Sequence, residues 1–154
     1  MYRFGVELQI GTKIRKIFET HKNTDIFLLL FLEKDFDSSK KYCNFAGWIM
    51  EQQKVIERIK DVAERILPQG ASLWLYGSRA RGDARPDSDY DLLILLDKEK
   101  ITSEDFDNYS YPFCESGYEI WTEINPHIYT RNDWMSWSFS PFYKNVEHDK
   151  IVLK

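Results

Sequence analysis

The stretch that decides the fold reads "GSRARGDARPDSDYD" and runs from Gly77 to Asp91. It places a glycine, a serine and several arginines just ahead of two aspartates, Asp89 and Asp91. Apolar runs flank it, "ASLWLY" before and "LLILL" after, and both are typical of buried strands. A loop that serves only turn chemistry would not lead two carboxylates into a buried strand, because unpaired buried charges are costly. The stretch is therefore a candidate functional site.

The two aspartates suit a hard cation. Successive side chains of a strand point to opposite faces, so Asp89 and Asp91 share one face, about 7 Å apart at their Cα atoms. Carboxylates at that spacing repel each other, and the repulsion favours a bound cation or a proton. Mg²⁺ prefers oxygen ligands and bridges carboxylates to substrate phosphates. A pair of such ions can activate an attacking oxygen and steady a leaving group, so we expect two magnesium ions.

The residues ahead of the aspartates suit phosphate. Gly77 lets the backbone turn and approach a ligand closely, and the Ser78 hydroxyl with neighbouring N–H groups can hold phosphate oxygens. Arg79 and Arg81 carry planar donor forks that match phosphate, and Arg85 offers a third. The sequence thus predicts a site for a nucleoside triphosphate and a metal. It is not a P-loop, because no GxxxxGK run is present.

Composition narrows the class of protein. The 154 residues are 43% hydrophobic and carry a net charge of −4, which is typical of one globular domain. An acidic chain without a lysine or arginine run is not expected to bind nucleic acid in general. Cys43 and Cys114 form no ligand cluster, so we expect neither a disulfide framework nor a zinc site. The longest apolar run, at residues 26–32, is too short to span a membrane, and no signal-peptide pattern opens the chain. We expect a cytoplasmic protein.

The hydrophobic pattern predicts an α+β order of elements. Residues 1–49 are interpreted as an N-terminal extension, with one helix or strand around residues 24–33, and residues 50–154 as the domain proper. Within that domain we predict a helix from Glu51 to Leu67, strands over 71–78 and 90–97, a helix from Thr102 or Ser103 to about Ser116, a third strand over 117–130, a helix capped by Thr130, and a last helix or turn followed by a short strand.

Residues 77–97, "GSRARGDARPDSDYDLLILLD", resemble the motif of the DNA polymerase β-like nucleotidyltransferase superfamily, which is GS, ten residues, then DxD. The long helix ahead of the motif and the small size of the chain resemble the minimal nucleotidyltransferase branch. The resemblance covers Glu51 to Leu153, and residues 1–49 have no counterpart in it. It implies the palm fold of the superfamily, a small mixed β-sheet with helices packed on one face.

The resemblance also implies roles for residues. Both aspartates of the DxD motif would be metal ligands, and Gly77 and Ser78 would bind the triphosphate. The family places a third carboxylate on a later strand, where it serves as a metal ligand and as the base toward the acceptor hydroxyl. Glu119 and Glu123 are the candidates here. We favour Glu123 as this catalytic metal ligand, because "EINPHIYT" resembles the family's Asp-x-Ser-Pro strand.

The implied activity is transfer of a nucleoside monophosphate, most simply AMP from ATP, to a hydroxyl acceptor. Small members of the branch are often encoded beside a HEPN-domain protein as antitoxin and toxin, and the acceptor can then be a tyrosine of that partner. Two alternatives stay open. One is a nucleotide- or toxin-binding module with weak turnover. The other is a small-molecule nucleotidyltransferase of the antibiotic type, which would need a further domain or a homo-oligomer to hold its acceptor.

Overall fold

The computed structural model describes residues 41–154, with side chains from residue 50 onward. The chain divides into two compact units, Met1–Glu51 and Gln52–Lys154, and the second contains the sheet. The element predicted around residues 24–33 lies outside the described residues. The interpretation of residues 1–49 as a separate extension stays a prediction.

The described elements follow the predicted order with two differences. The first helix begins at Lys41, ahead of Glu51, and residues 77 and 78, predicted to end the first strand, belong to a short helix Gly77–Arg81 that was not predicted. Thr130 accepts a hydrogen bond from the backbone of Asp133 and so caps the helix that follows it, as predicted. Thr102 and Asp105 form a capping box where the helix at Ser103 begins. The elements are α1 Lys41–Ile66, β1 Ser72–Tyr76, α2 Gly77–Arg81, β2 Tyr90–Leu96, α3 Ser103–Asp105, a π-helical turn Phe106–Ser110, α4 Tyr111–Glu119, β3 Ile124–Thr130, α5 Arg131–Ser136, α6 Pro141–Asp149 and β4 Ile151–Val152.

The four strands form one mixed sheet in the order β3-β2-β1-β4. β1 pairs antiparallel with β2 and β4, whereas β2 and β3 run parallel. The register aligns Asp91 of β2 with Tyr76 of β1 and with Asn125 of β3. The expected α+β class with a small mixed sheet is therefore confirmed.

One face of the sheet carries the larger core. α1 packs Val55, Ile59 and Val62 against this face, and Phe113 of α4 joins them. Each fully buried side chain of this kind contributes roughly 1.5–3 kcal/mol of transfer free energy. The sheet supplies every second residue of its strands, namely Leu73, Leu75, Leu92, Ile94, Leu96, Ile124 and Ile128.

The opposite face carries a second, smaller helical layer in addition to the layer expected from the palm fold. Trp134 of α5 and Val146 of α6 pack there against Leu93 and Leu95 of β2. On this face Asp91, near the N-terminal end of β2, is only half-buried, and His127 of β3 is exposed. The open part of this face is where the candidate site lies.

The third strand is shorter than predicted. Residues 117–119 belong to the last turn of α4, and β3 begins only at Ile124. The alternating polar and aromatic residues of "YEIWTE" resemble a strand, but Trp121 has a φ of 56° and helps the chain reverse between helix and strand. Among the described residues, no helix is long and apolar enough to cross a membrane.

Candidate active site

Gly77 and Asp91 are in contact where β1 ends. The chain leaves β1 at Tyr76, and Gly77 has a φ of 75°, which is a conformation that favours glycine. A Cβ atom at residue 77 would lie 2.5 Å from Oδ2 of Asp91. No other residue can occupy this position without displacing the carboxylate. The turn after β1 and the second aspartate of the motif are therefore packed directly together.

Asp89 and Asp91 lie on the same open face with Asn125 beside them. Because register partners on neighbouring strands point to the same side, Asp91, Tyr76 and Asn125 share that face. Nδ2 of Asn125 donates a hydrogen bond to Oδ2 of Asp89 over 2.5 Å. The two aspartates thus form one acidic site, and a neutral amide fills its β3 side.

The local charges favour a cation at this site. Burial raises the pKa of Asp91, and the negative charge of Asp89 raises it further, whereas the interactions with His127 and Arg81 lower it. Burial, and after it the charge of Asp91, also raises the pKa of Tyr76 well above its ordinary value. The protein's own positive charges therefore do not fully offset the two carboxylates, and a bound cation would.

The residues present fit a magnesium ion that arrives with phosphate. Asp89 and Asp91 offer only oxygen donors, and the lack of a side chain at Gly77 lets the Asp91 carboxylate lie against the turn. Mg²⁺ is commonly held by one or two carboxylates, with waters and substrate phosphates completing the shell. Within residues 41–154, no group of three or more His, Cys, Asp and Glu side chains that could hold a metal is found. Substrate oxygens would have to fill the coordination position that a third carboxylate would otherwise fill.

The two candidate glutamates lie at different places. Glu119 is in the last turn of α4, is exposed and pairs with Arg58, so its predicted position on the third strand is wrong. Glu123 lies one residue ahead of β3, and its carbonyl accepts a hydrogen bond from the backbone of Tyr90 at 2.9 Å. Its side chain is exposed and is not grouped with the aspartates in a three-ligand set. The role assigned to Glu123 stays a prediction.

The first arginine of the motif contacts backbone. Arg79 donates from Nε and Nη2 to the carbonyl of Ser88 at 3.1 and 2.5 Å, and from Nη2 to the carbonyl of Pro86 at 3.2 Å. Its guanidinium lies 4.5 Å from the centre of the Tyr90 ring, which is within the range of a cation–π contact. The donors of Arg79 are thus directed at the loop that carries Asp89.

The second arginine contacts carboxylates. Arg81 donates from Nη1 to Asp149 at 2.8 Å and from Nε to Asp83 at 3.2 Å. Asp149 lies at the end of α6 and is buried, so the pair ties the turn after β1 to the C-terminal helix. Arg85, by contrast, is exposed at the outer part of the loop.

Tyr76 and His127 form a further polar pair on the same face. The phenol oxygen lies 3.0 Å from Nδ1 of His127, and the ring of Phe142 packs against both side chains. The direction of this hydrogen bond follows from the tautomer of the imidazole. His127 is exposed, so its ring is accessible to a bound substrate.

Sequence reasoning missed three of these participants, namely Asn125 as the partner of Asp89, Tyr76 as the partner of His127, and Asp149 as the partner of Arg81. The alternation of side chains along β3 signals that Asn125 shares a face with His127. Nothing in the sequence specifies which residue of β3 lies opposite Asp91, because that depends on the register of two parallel strands far apart in the chain.

Fold and site together define a protein built for nucleotidyl transfer, and comparison with known proteins agrees. The family model described as "Nucleotidyltransferase domain" matches residues 55–133, just over half of the chain, so the chain belongs to the nucleotidyltransferase domain family. No curated protein matches it. A 1.40 Å crystal structure of a Sulfolobus solfataricus protein, provisionally described as a nucleotidyltransferase, is 20% identical, with a TM-score of 0.44 over 68% of this chain and 84% of that one.

Proposed function

We propose that this chain is a magnesium-dependent nucleotidyltransferase of the minimal branch, which transfers AMP from ATP to a hydroxyl acceptor and releases pyrophosphate. The observation that carries the proposal is the contact between the Gly77 turn and the Asp91 carboxylate, with Asp89 on the same face. A phosphate-binding turn and a pair of metal-binding carboxylates are useful to this reaction only when they are adjacent.

Each residue has a proposed task. Gly77 and Ser78 hold the triphosphate, Asp89 and Asp91 hold the metal, and Arg81 supplies positive charge near Asp91. When bound, Mg²⁺ neutralises charge on the transferred and leaving phosphates. Catalysis of this type consists mostly of positioning and charge stabilisation, which is why rigid contacts at the turn matter more than a covalent step.

The sheet order gives a direction for the acceptor. Asp91 lies on β2, between the turn after β1 and the edge strand β3. The attacking and leaving oxygens of phosphoryl transfer lie roughly in line, so an acceptor attacks from the side opposite the pyrophosphate. With pyrophosphate held at the turn, the acceptor approaches over β3. There we propose exposed Glu123 as the base and the imidazole of His127 as a hydrogen-bond partner of the acceptor oxygen.

The test is incubation of the chain with Mg²⁺ and ATP labelled at the α-phosphate, together with proteins that co-purify with it. Asp89→Asn should lower formation of labelled AMP or AMP-protein by about a hundredfold or more, the range seen when a main electrostatic contact is removed. Asp87→Asn is the matched control, because Asp87 is exposed in the same loop. Equal activity of the two variants would contradict the proposal.

For the acceptor we propose a tyrosine hydroxyl of a HEPN-type toxin, with this chain as its antitoxin in the cytoplasm. The support is the resemblance to the minimal branch, together with the acceptor side. Residues 123–130, which are β3 and its approach, contain no Lys or Arg, so this side has no evident holder for an anionic acceptor. Mass spectrometry of a co-expressed HEPN partner should find AMP on a tyrosine. A partner that stays unmodified in the presence of active enzyme would contradict this assignment of the acceptor alone.

A second candidate function is a nucleotide- or toxin-binding module with weak turnover. Asn125 favours it, because an amide and not a carboxylate contacts Asp89, so the site has fewer metal ligands. Calorimetry with Mg²⁺ and a nonhydrolysable ATP analogue separates the two functions. Tight binding with no AMP transfer to any partner would support the module, whereas transfer that depends on Asp89 would support the enzyme.

A further inference from the structure

Arg79 contacts residues on both sides of Asp89. Ahead of the aspartate, its fork binds the carbonyl oxygens of Ser88 and Pro86. After the aspartate, its guanidinium stacks on the ring of Tyr90, which is buried in the core as the first residue of β2. Arg79 therefore bridges a rigid strand and the loop that leads into it, and Asp89 lies between the two anchors.

Arg81 lies two residues further along the same short helix and has different partners. It contacts the carboxylates of Asp149 and Asp83, and its charge acts on Asp91. Residues two apart on a helix do not face each other, and Ala80 between them is buried. The two arginines of the motif thus serve different parts of the site.

The contacts of Arg79 hold the loop at residues 82–89 in position. Within it, Ser88 donates to the carbonyl of Arg85, and the backbone of Arg85 donates to the hydroxyl of Ser88. These bonds shape the outer turn of the loop but do not attach it to the sheet. Because Asp89 precedes the first residue of β2, the position of its carboxylate depends on the backbone at Ser88 and on the hydrogen bond from Asn125, whereas Asp91 is fixed by strand pairing on both sides.

We propose that Arg79 is a positioning residue that holds Asp89 in place for the metal, and that it is not a phosphate ligand. This inference rests on the proposed function in one respect, namely that Asp89 binds a metal ion. A planar fork that binds the carbonyls of Pro86 and Ser88 cannot be replaced by a lysine, whose ammonium is a single point of charge. A phosphate contact, in contrast, would be kept in large part by lysine.

The test compares Arg79→Lys, Arg79→Ala and Arg81→Ala by three measurements that need no turnover. Binding of Mn²⁺ in the presence of ATP is followed by electron paramagnetic resonance. Binding of inorganic tripolyphosphate without metal is followed by calorimetry. Hydrogen exchange is measured at the amides of residues 82–89, with the amides of α1 as the internal control for global unfolding.

Both Arg79 variants should weaken Mn²⁺ binding by about tenfold, as loss of a residue that orients a metal ligand typically does. They should speed exchange in residues 82–89 and change tripolyphosphate affinity by less than about twofold. Arg81→Ala should show the opposite pattern. It should weaken tripolyphosphate binding and leave Mn²⁺ binding and exchange in residues 82–89 nearly unchanged. This pattern would support the proposal.

Two results would overturn it. In the first, Arg79→Ala weakens metal-free binding of tripolyphosphate as much as Arg81→Ala does, and Arg79→Lys restores the affinity. Arg79 would then be a phosphate ligand. In the other, Arg79→Lys leaves both Mn²⁺ affinity and loop exchange unchanged. Failure of the proposed function would give a different result, since Asp89→Asn would then leave Mn²⁺ binding intact. The exchange measurement would still report whether Arg79 holds the loop.

Discussion

Nδ2 of Asn125 donates to Oδ2 of Asp89 over 2.5 Å, from the position on β3 that lies directly opposite Asp91. A neutral donor therefore contacts Asp89, whereas Glu123, the favoured third carboxylate, is exposed and lies one residue ahead of β3. The amide offsets part of the repulsion between the aspartates, because it satisfies one carboxylate oxygen without adding charge. The protein can thus keep two carboxylates on one face without a bound metal.

Asn125→Asp should destabilise the metal-free protein by roughly 1–3 kcal/mol, because it removes this donor and adds a third negative charge. The same change should make stability more dependent on Mg²⁺, since the cation would then neutralise three carboxylates. Thermal unfolding with and without MgCl₂ checks both. Asn145→Asp is the control, because Asn145 is exposed on α6. If both variants respond alike to Mg²⁺, Asn125 does not contribute to the site.

Gly77→Ala should be more costly than Gly70→Ala. Both glycines have positive φ, 75° and 87°, so alanine is strained at either position, at about 1–3 kcal/mol. A Cβ at residue 70 has nothing within 4 Å, whereas one at residue 77 meets the Asp91 carboxylate at 2.5 Å. Urea unfolding should show the larger loss for Gly77→Ala, and calorimetry should show loss of metal-dependent ATP binding in that variant alone. Equal losses of stability, with ATP binding kept, would contradict the contact.

The raised pKa of Asp91 predicts how stability changes with pH. Because burial, and then the charge of Asp89, raises this pKa in the folded state, the folded protein holds the proton more tightly than the unfolded chain does. The contribution of this group is therefore greatest at acid pH and is lost as the pH rises through the raised pKa. Relative to Asp91→Asn, the wild type should lose stability as the pH rises above about 4, the ordinary pKa of an aspartate.

Unfolding by urea at a series of pH values, in EDTA, measures this difference. Saturating Mg²⁺ with ATP should reduce the trend, because the bound cation favours the carboxylate over the carboxyl form. A difference between wild type and Asp91→Asn that stays constant across the pH range would show that Asp91 has no raised pKa.

Asp149→Ala should cost more than Asp83→Ala, although both aspartates bind Arg81. The Asp149 side chain is 8% exposed and the Asp83 side chain 62%. Losing the buried partner should cost about 2 kcal/mol, which is less than for a fully buried pair because Arg81 is itself partly exposed. Losing the exposed partner should cost less than about 0.5 kcal/mol. A double-mutant cycle between Arg81 and Asp149, read by urea unfolding, should show coupling. Additive losses would mean that the pair does not join the turn to α6.

The class of the protein could be predicted from residues close together in the chain. The spacing of Gly77, Ser78, Asp89 and Asp91 indicates both ends of the site, because one strand ends and the next begins within 15 residues of motif. The helical pattern from Glu51 and the cap at Thr130 are equally local. Such features depend on the period of side chains and on hydrogen bonds within a few residues, so they can be read without the fold.

Tertiary structure alone decided which side chains meet. Glu119 ends a helix and pairs there with Arg58, 61 residues away, and Asn125 lies opposite Asp91 because two parallel strands adopt one register. Arg79 and Arg81 are chemically identical and two residues apart, yet one binds carbonyls nine residues away or fewer and the other a carboxylate 68 residues away. Contacts between distant segments depend on how whole elements pack, and that packing is a property of the folded chain which no short stretch of sequence contains.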